Sequence, residues 1–193
     1  MKRLCVFCGS SRGNIAAFTA AAQALGETLA ARNLELVFGG SHVGLMGVLA
    51  DAVLANGGKV IGVLPRFMDD KALAHPKLTR LHLVDTMHER KKLMAELADG
   101  FIALPGGFGT LEEFFEAIAW QQLRLHTHPC GLLNVDGYFD ALLTFLRGTV
   151  AGGFVRAGHL DRLVVAKTPA ELLDGLAHFQ PETSDKWIPG KAT

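Results

Sequence analysis

The chain has 193 residues, 19 Lys+Arg against 19 Asp+Glu, a pI near 7.1 and 49% hydrophobic residues. Disorder needs low hydrophobicity and high net charge, so it is excluded, and a neutral chain exerts no global pull on nucleic acid or anionic lipid. The length suits one domain with a developed core, and no stretch approaches the ~20 apolar residues of a membrane span.

Short apolar runs rich in β-branched or aromatic residues predict strands over 3–8, 34–38, 59–64, 81–84, 100–104, 130–135 and 162–166. Helical spacing predicts helices over 14–32, 44–56, 86–98, 110–123, 137–150 and 169–178. Strands that are apolar throughout belong to a sheet covered on both faces. Their alternation with helices predicts βαβ units and a single-domain α/β fold with a doubly wound parallel sheet. The segment 65–80, with Pro65, Asp69, Asp70, Lys71 and Pro76, is the longest irregular piece and is expected at a rim. Beyond Pro181 the chain is polar apart from Trp187 and Ile188, which predicts a docked or frayed tail over 181–193.

The first strand carries Cys5 and Cys8. A CxxC spacing without a second ligand pair reads as small apolar residues on a buried strand rather than as a zinc or redox half-site. Lys2 and Arg3 precede an apolar run too short for a signal-peptide core. With three cysteines in all, a reduced, cytoplasmic protein is expected. His126 and His128 form an HxH pair with no third ligand in view, and no metal is expected.

Three glycine-rich turns fall at strand ends, each followed by a helix. They are Cys8-Gly9-Ser10-Ser11-Arg12-Gly13, Gly39-Gly40-Ser41-His42-Val43-Gly44-Leu45-Met46-Gly47 and Pro105-Gly106-Gly107-Phe108-Gly109-Thr110. Open α/β sheets bind ligands beyond the carboxyl ends of their strands. Glycine permits close backbone approach, and a helix N-terminus presents free N–H groups to an anion. Neither a Walker GK[ST] nor a GxGxxG occurs. A single such turn is most often only a tight connection, but three in succession favour a phosphate-bearing ligand. Thr110 stands where a hydroxyl would cap its helix or touch a phosphate.

The predicted helix from Thr86 places Arg90 on a stripe with Met87, Met94 and Leu97, and Lys91 at the edge of that stripe. A guanidinium there needs an anionic partner, either a structural ion pair or a bound phosphate or carboxylate. After the third glycine turn the helix opens Thr110-Leu111-Glu112-Glu113. A wheel with Leu111, Phe114, Phe115 and Ile118 on the buried face has Glu112 flanking that face and Glu113 pointing more away. It does not decide between the two acids. His88 is expected to line the same site. No Ser-His-Asp or Cys-His set can be assigned.

Together, Gly39-Gly40-Ser41-x-x-Gly44-Leu45-Met46-Gly47, Met87-His88-Glu89-Arg90-Lys91 and Pro105-Gly106-Gly107-x-Gly109-Thr110-x-x-Glu113 resemble the LOG ("lonely guy") family of cytokinin-activating enzymes. Cys8-Gly9-Ser10-Ser11, Trp120-Gln121-Gln122-Leu123 and Leu133-Asn134-Val135-Asp136-Gly137-Tyr138 support the resemblance, which covers roughly residues 3–155. It implies a Rossmann-like nucleotide-binding domain over 1–180, usually dimeric. It implies hydrolysis of the N-glycosidic bond of N6-substituted adenosine 5′-monophosphates, often AMP as well, to free base and ribose 5-phosphate, with no cofactor. The older label of lysine decarboxylase finds no pyridoxal-phosphate lysine motif here.

By that resemblance Gly106, Gly107, Gly109 and Thr110 cradle the 5′-phosphate, and Arg90 with Glu113 or Glu112 forms the catalytic pair. Gly9, Ser10, Gly39, Gly40, Gly44, Met46, His88, Lys91 and Phe108 complete the substrate contacts. Two positions depart from the family pattern. Ser41 stands where a third glycine is usual, and Ala72 where an acidic residue often contacts substrate. The runner-up reading is a non-catalytic carrier or sensor of a phosphorylated, nucleotide-like cofactor such as molybdenum cofactor.

Overall fold

Seven parallel strands lie in the order β4-β3-β2-β1-β5-β6-β7 in a computed structural model that describes residues 1–69 and 71–181. The tail expected over 181–193 therefore falls almost wholly outside the described residues. The strands are β1 (Arg3–Phe7), β2 (Glu35–Phe38), β3 (Val60–Pro65), β4 (Arg80–Val84), β5 (Phe101–Ala103), β6 (Cys130–Leu133) and β7 (Val164–Ala166). The helices are α1 (Ala16–Ala31), α2 (Gly44–Ala55), α3 (Arg66–Asp69), α4 (Met87–Leu97), α5 (Phe108–Gln122), α6 (Asp140–Ala151), α7 (Ala157–Leu160) and α8 (Pro169–Ala177). The doubly wound α/β expectation holds.

The strands are apolar throughout because both faces are covered. Leu4, Val6, Leu36, Phe38, Ile102 and Leu104 point to one side, against Leu25 and Leu29 of α1, Leu49 and Val53 of α2 and Leu172 of α8. Cys5, Phe7, Val37, Ile61, Val63, Phe101 and Ala103 point to the other, against Met94 of α4 and Phe114 and Ala117 of α5. This is the period-two alternation of a strand, read on two apolar layers at once. Cys5 lies between Val37 of β2 and Phe101 of β5 in register. Cys5, Cys8 and Cys130 are buried free thiols. Burial pushes the Cys130 thiol up to about 12, and raises Cys5 as well.

Some boundaries moved. The run predicted as a strand over 130–135 ends at Leu133, and a short 3-10 turn follows over Val135–Gly137. The helix expected from 110 begins at Phe108. The irregular segment 65–80 contains α3, and α7 was not foreseen.

The winding reverses between β1 and β5, because β2, β3 and β4 lie to one side of β1 and β5, β6 and β7 to the other. That reversal is where the loops at the carboxyl edge diverge and leave a crevice. The loops after β1 and β5 meet there: Gly9 N–H donates to Pro105 O at 3.0 Å.

Candidate active site

The three glycine turns follow β1, β2 and β5, which are adjacent in the sheet order β2-β1-β5. They therefore share one corner of the carboxyl edge. The loop after β1 also supports the next one, since Leu45 N–H at the start of α2 donates to Gly9 O at 3.0 Å.

Helix α4 delivers the cation. Thr86 caps it, accepting from Glu89 N–H at 3.1 Å, and the Glu89 carboxylate accepts from Asp85 N–H at 2.9 Å. One turn in, Arg90 is 7% exposed, on a stripe with buried Met94 and Ala98. Its Nε–H donates to Val63 O within β3 at 3.0 Å, and Nη1–H donates to Glu113 Oε1 at 2.7 Å. Nη2 lies against Gly39, where a Cβ would overlap it. Any side chain at 39 would displace the guanidinium from this position. The sulfur of Met46 borders the same spot, 3.3 Å from where that Cβ would stand.

Glu113 lies on the buried side of α5, its side chain 12% exposed, whereas Glu112 is 56% exposed. The wheel drawn from the large apolar residues had the two acids the other way round. Burial pushes the Glu113 carboxyl above the ordinary glutamate range, and Arg90 beside it pulls part of the way back. Lys91 pairs with Glu112, and with Glu116 at 3.1 Å. Two cation–carboxylate sets thus link α4 to α5, one buried and one at its outer edge.

The glycines of the third turn differ from one another. At Gly106 a Cβ would overlap Thr110 Oγ1 and come within 2.8 Å of Gly9 N. At Gly107 and Gly109 it would meet nothing within 4 Å. Packing does not explain those two. Phe108 between them is 94% exposed. The cap of α5 is Gly107, without a side-chain hydrogen bond, so the capping role expected of Thr110 is not taken. Thr110 instead is buried behind Gly106.

Ser10 is exposed and packs its backbone under Gly44, which has φ +61. Gly40 accepts from His75 N–H at 2.9 Å. His88 is exposed on the first turn of α4. Ser41 is fully buried, and its hydroxyl accepts from Val43 N–H at 3.3 Å, so it serves its own loop. Ala72 is exposed with φ 55.

Sequence reasoning missed the strap 73–75. Ala74 bridges Ser41, His42 N–H donates to Leu73 O at 3.1 Å, and buried His75 meets Asp51 of α2 at 3.1 Å. No local pattern announces such a contact between distant loops. His126 and His128 stack at 5.3 Å beneath Phe101, with His126 Nε2 3.0 Å from Ala117 O, which is a packing role. Among the described residues no three His, Cys, Asp or Glu side chains gather as a metal site.

The family model described as "Possible lysine decarboxylase" matches residues 46–176. The chain is 47% identical over 181 residues to probable cytokinin riboside 5′-monophosphate phosphoribohydrolase LOGL2 of Oryza sativa subsp. japonica, covering 94% of this chain and 74% of that one. It is 45% identical over 184 residues to cytokinin riboside 5′-monophosphate phosphoribohydrolase LOG2 of Arabidopsis thaliana, covering 95% and 86%. Among solved structures, the molybdenum cofactor carrier protein of Chlamydomonas reinhardtii superposes with a TM-score of 0.68 at 19% identity, over 91% of this chain and 96% of that one. That last likeness is one of fold. With close to half of its residues shared over nearly its whole length, the chain belongs to the LOG family.

Proposed function

We propose that this chain hydrolyses the N-glycosidic bond of AMP-type nucleotides, N6-substituted or not, releasing the base and ribose 5-phosphate. One observation carries the reading: a buried arginine–glutamate pair stands beside a helix start whose two open glycines the fold itself does not need. Free N–H groups at the start of α5 suit a 5′-phosphate. Gly106, Gly107, Gly109 and Thr110 form the cradle in this reading. Gly9, Ser10, Gly39, Gly40, Gly44, Met46, His88, Lys91 and Phe108 surround the rest of the substrate.

Cleavage breaks the C1′–N9 bond and builds positive charge on the ribose, as in other glycoside hydrolyses. Glu113 faces that charge as the carboxylate that stabilises it and takes a proton from the attacking water. The water oxygen adds to C1′, and the departing base receives a proton. Arg90 orients Glu113 and offsets the phosphate charge. Glu112, more exposed and tied to Lys91, lies toward the ribose. The phosphate supplies remote binding energy, so adenosine is a poor substrate.

The test is release of free base from AMP and N6-isopentenyl-AMP, followed by chromatography. Release is expected from both. Binding of either nucleotide without release overturns the enzyme reading and returns the carrier alternative, which now has only a shared fold behind it.

The domain over 1–180 is proposed to act as a homodimer in the cytoplasm. Large exposed apolar side chains, among them Phe108, Phe145, Phe154 and Leu125, support a partner surface. Three free thiols support a reducing compartment. Among the described residues no helix is long and apolar enough to cross a membrane.

A further inference from the structure

The turn after β6 takes no part in the scheme above, yet it reaches the glycine loop. Tyr138 Oη donates to Gly106 O at 2.7 Å. The surrounding turn is built around this contact. Asp136 and Gly137 both adopt left-handed backbone, at φ 49 and φ 71, conformations that Asp tolerates and glycine favours. Buried Asn134 ties the turn together, accepting from Phe139 N–H at 2.8 Å and donating to Asp140 Oδ1 at 2.7 Å. The Tyr138 ring stands edge-on to Phe18 of α1 at 5.3 Å and to Phe139 at 5.0 Å. Phe18 is seated in turn on Gly13, where a Cβ would come within 2.9 Å of its ring.

The peptide that receives this hydrogen bond joins two glycines, Gly106 and Gly107. Such a peptide has little intrinsic preference for one orientation over the flipped one. It is trans, so its C=O and N–H point in opposite directions. Holding the Gly106 carbonyl on Tyr138 therefore aims the Gly107 N–H away from Tyr138. Gly107 is the N-cap of α5, where a free N–H serves an anion.

We infer that Tyr138 is a positioning residue for the substrate phosphate, its hydroxyl locking the Gly106–Gly107 peptide so that the Gly107 N–H stays available to the anion. The inference rests on the phosphate-cradle reading of that loop. A tyrosine kept only for packing uses its ring. A tyrosine kept for this lock uses its hydroxyl.

Tyr138→Phe separates the two, because it leaves the ring between Phe18 and Phe139. One hydrogen bond of ordinary strength predicts about a three- to tenfold rise in KM for AMP, with kcat unchanged within about twofold. The inhibition constant of ribose 5-phosphate rises in step, and the melting temperature falls by no more than the few degrees that one hydrogen bond is worth. In a 15N spectrum, the Gly107 amide shift induced by saturating ribose 5-phosphate shrinks in the variant. An unchanged KM overturns the inference, as does a loss of kcat and melting temperature with KM intact. A wild type that binds ribose 5-phosphate but cleaves nothing overturns only the hydrolase reading, and the binding comparison then decides Tyr138. A wild type that binds no ribose 5-phosphate overturns both.

Discussion

Arg90 and Glu113 carry opposite risks when altered. Removing one member of a buried ion pair leaves the other uncompensated, typically at about 3–5 kcal/mol. Arg90→Ala is therefore expected to lose activity and melting temperature together, which blurs its meaning. Glu113→Gln also removes the counter-charge of Arg90, but the amide keeps the shape and an acceptor for the guanidinium, so a smaller loss of melting temperature is expected. It is expected to lower kcat by about 10²–10⁴-fold, the usual worth of a placed acid–base group, with the fold intact by circular dichroism. Glu112→Gln is expected to cost less, because Glu112 is largely exposed and paired at the outer edge. The pH–rate profile supplies an independent check. Burial raises Glu113 above the ordinary carboxylate range, and the reaction needs it ionised. The rate of kcat/KM is expected to fall on the acid side through an apparent pKa above the usual glutamate value, and Glu113→Gln abolishes that limb.

Helix α5 shows why the two acids were hard to order in advance. Large apolar residues mark the buried face of a wheel, so Leu111, Phe114, Phe115 and Ile118 define it, and of these Phe114 is fully buried. The side chains facing the sheet are Thr110, Phe114 and Ala117, with Glu113 on the same stripe. Thr110 and Ala117 stand there beside the larger Phe114, while Phe115 and Ile118 line a cavity with Leu146 of α6 and Leu160 of α7. In the same helix Gly109→Ala makes a sharp prediction. No atom obstructs a Cβ at 109, and alanine is favoured over glycine inside a helix by about 1 kcal/mol. The variant is expected to melt higher than wild type and yet show a raised KM for AMP. A helix whose glycine answered only to packing shows neither. Helix α4 was partly legible: the Arg90–Met94 spacing marked its buried face, whereas Met87 of the same stripe is 39% exposed and the Thr86 cap emerges only from the structure. Its cap can be tested alone, since Thr86→Ala is expected to cost about 1 kcal/mol of stability, read by thermal melting.

Across the fold, acid stability is expected to turn on the histidines under β5. Burial first, and His128 beside it, lower the His126 pKa to about 4. The unfolded chain therefore binds a proton at this position between about pH 6.5 and 4 that the folded chain refuses. Stability is expected to fall as pH drops through that window, and His126→Gln to flatten the fall, measured by denaturant melts at stepped pH. Alternating apolar runs and helical spacings were enough to read a parallel α/β sheet from the chain, because strands buried on both faces and helices buried on one leave different periodicities. Clustered glycines at strand ends, and an arginine on an apolar stripe, likewise marked the chemistry, since neither is tolerated without a reason. The order β2-β1-β5 was not legible, and neither was anything depending on it: that the three glycine turns share one corner, that Arg90 reaches Glu113 and Gly39 at once, that Tyr138 touches Gly106. Those contacts join residues distant in the chain. They exist because the winding reverses between β1 and β5, and local periodicity carries no record of which strands become neighbours.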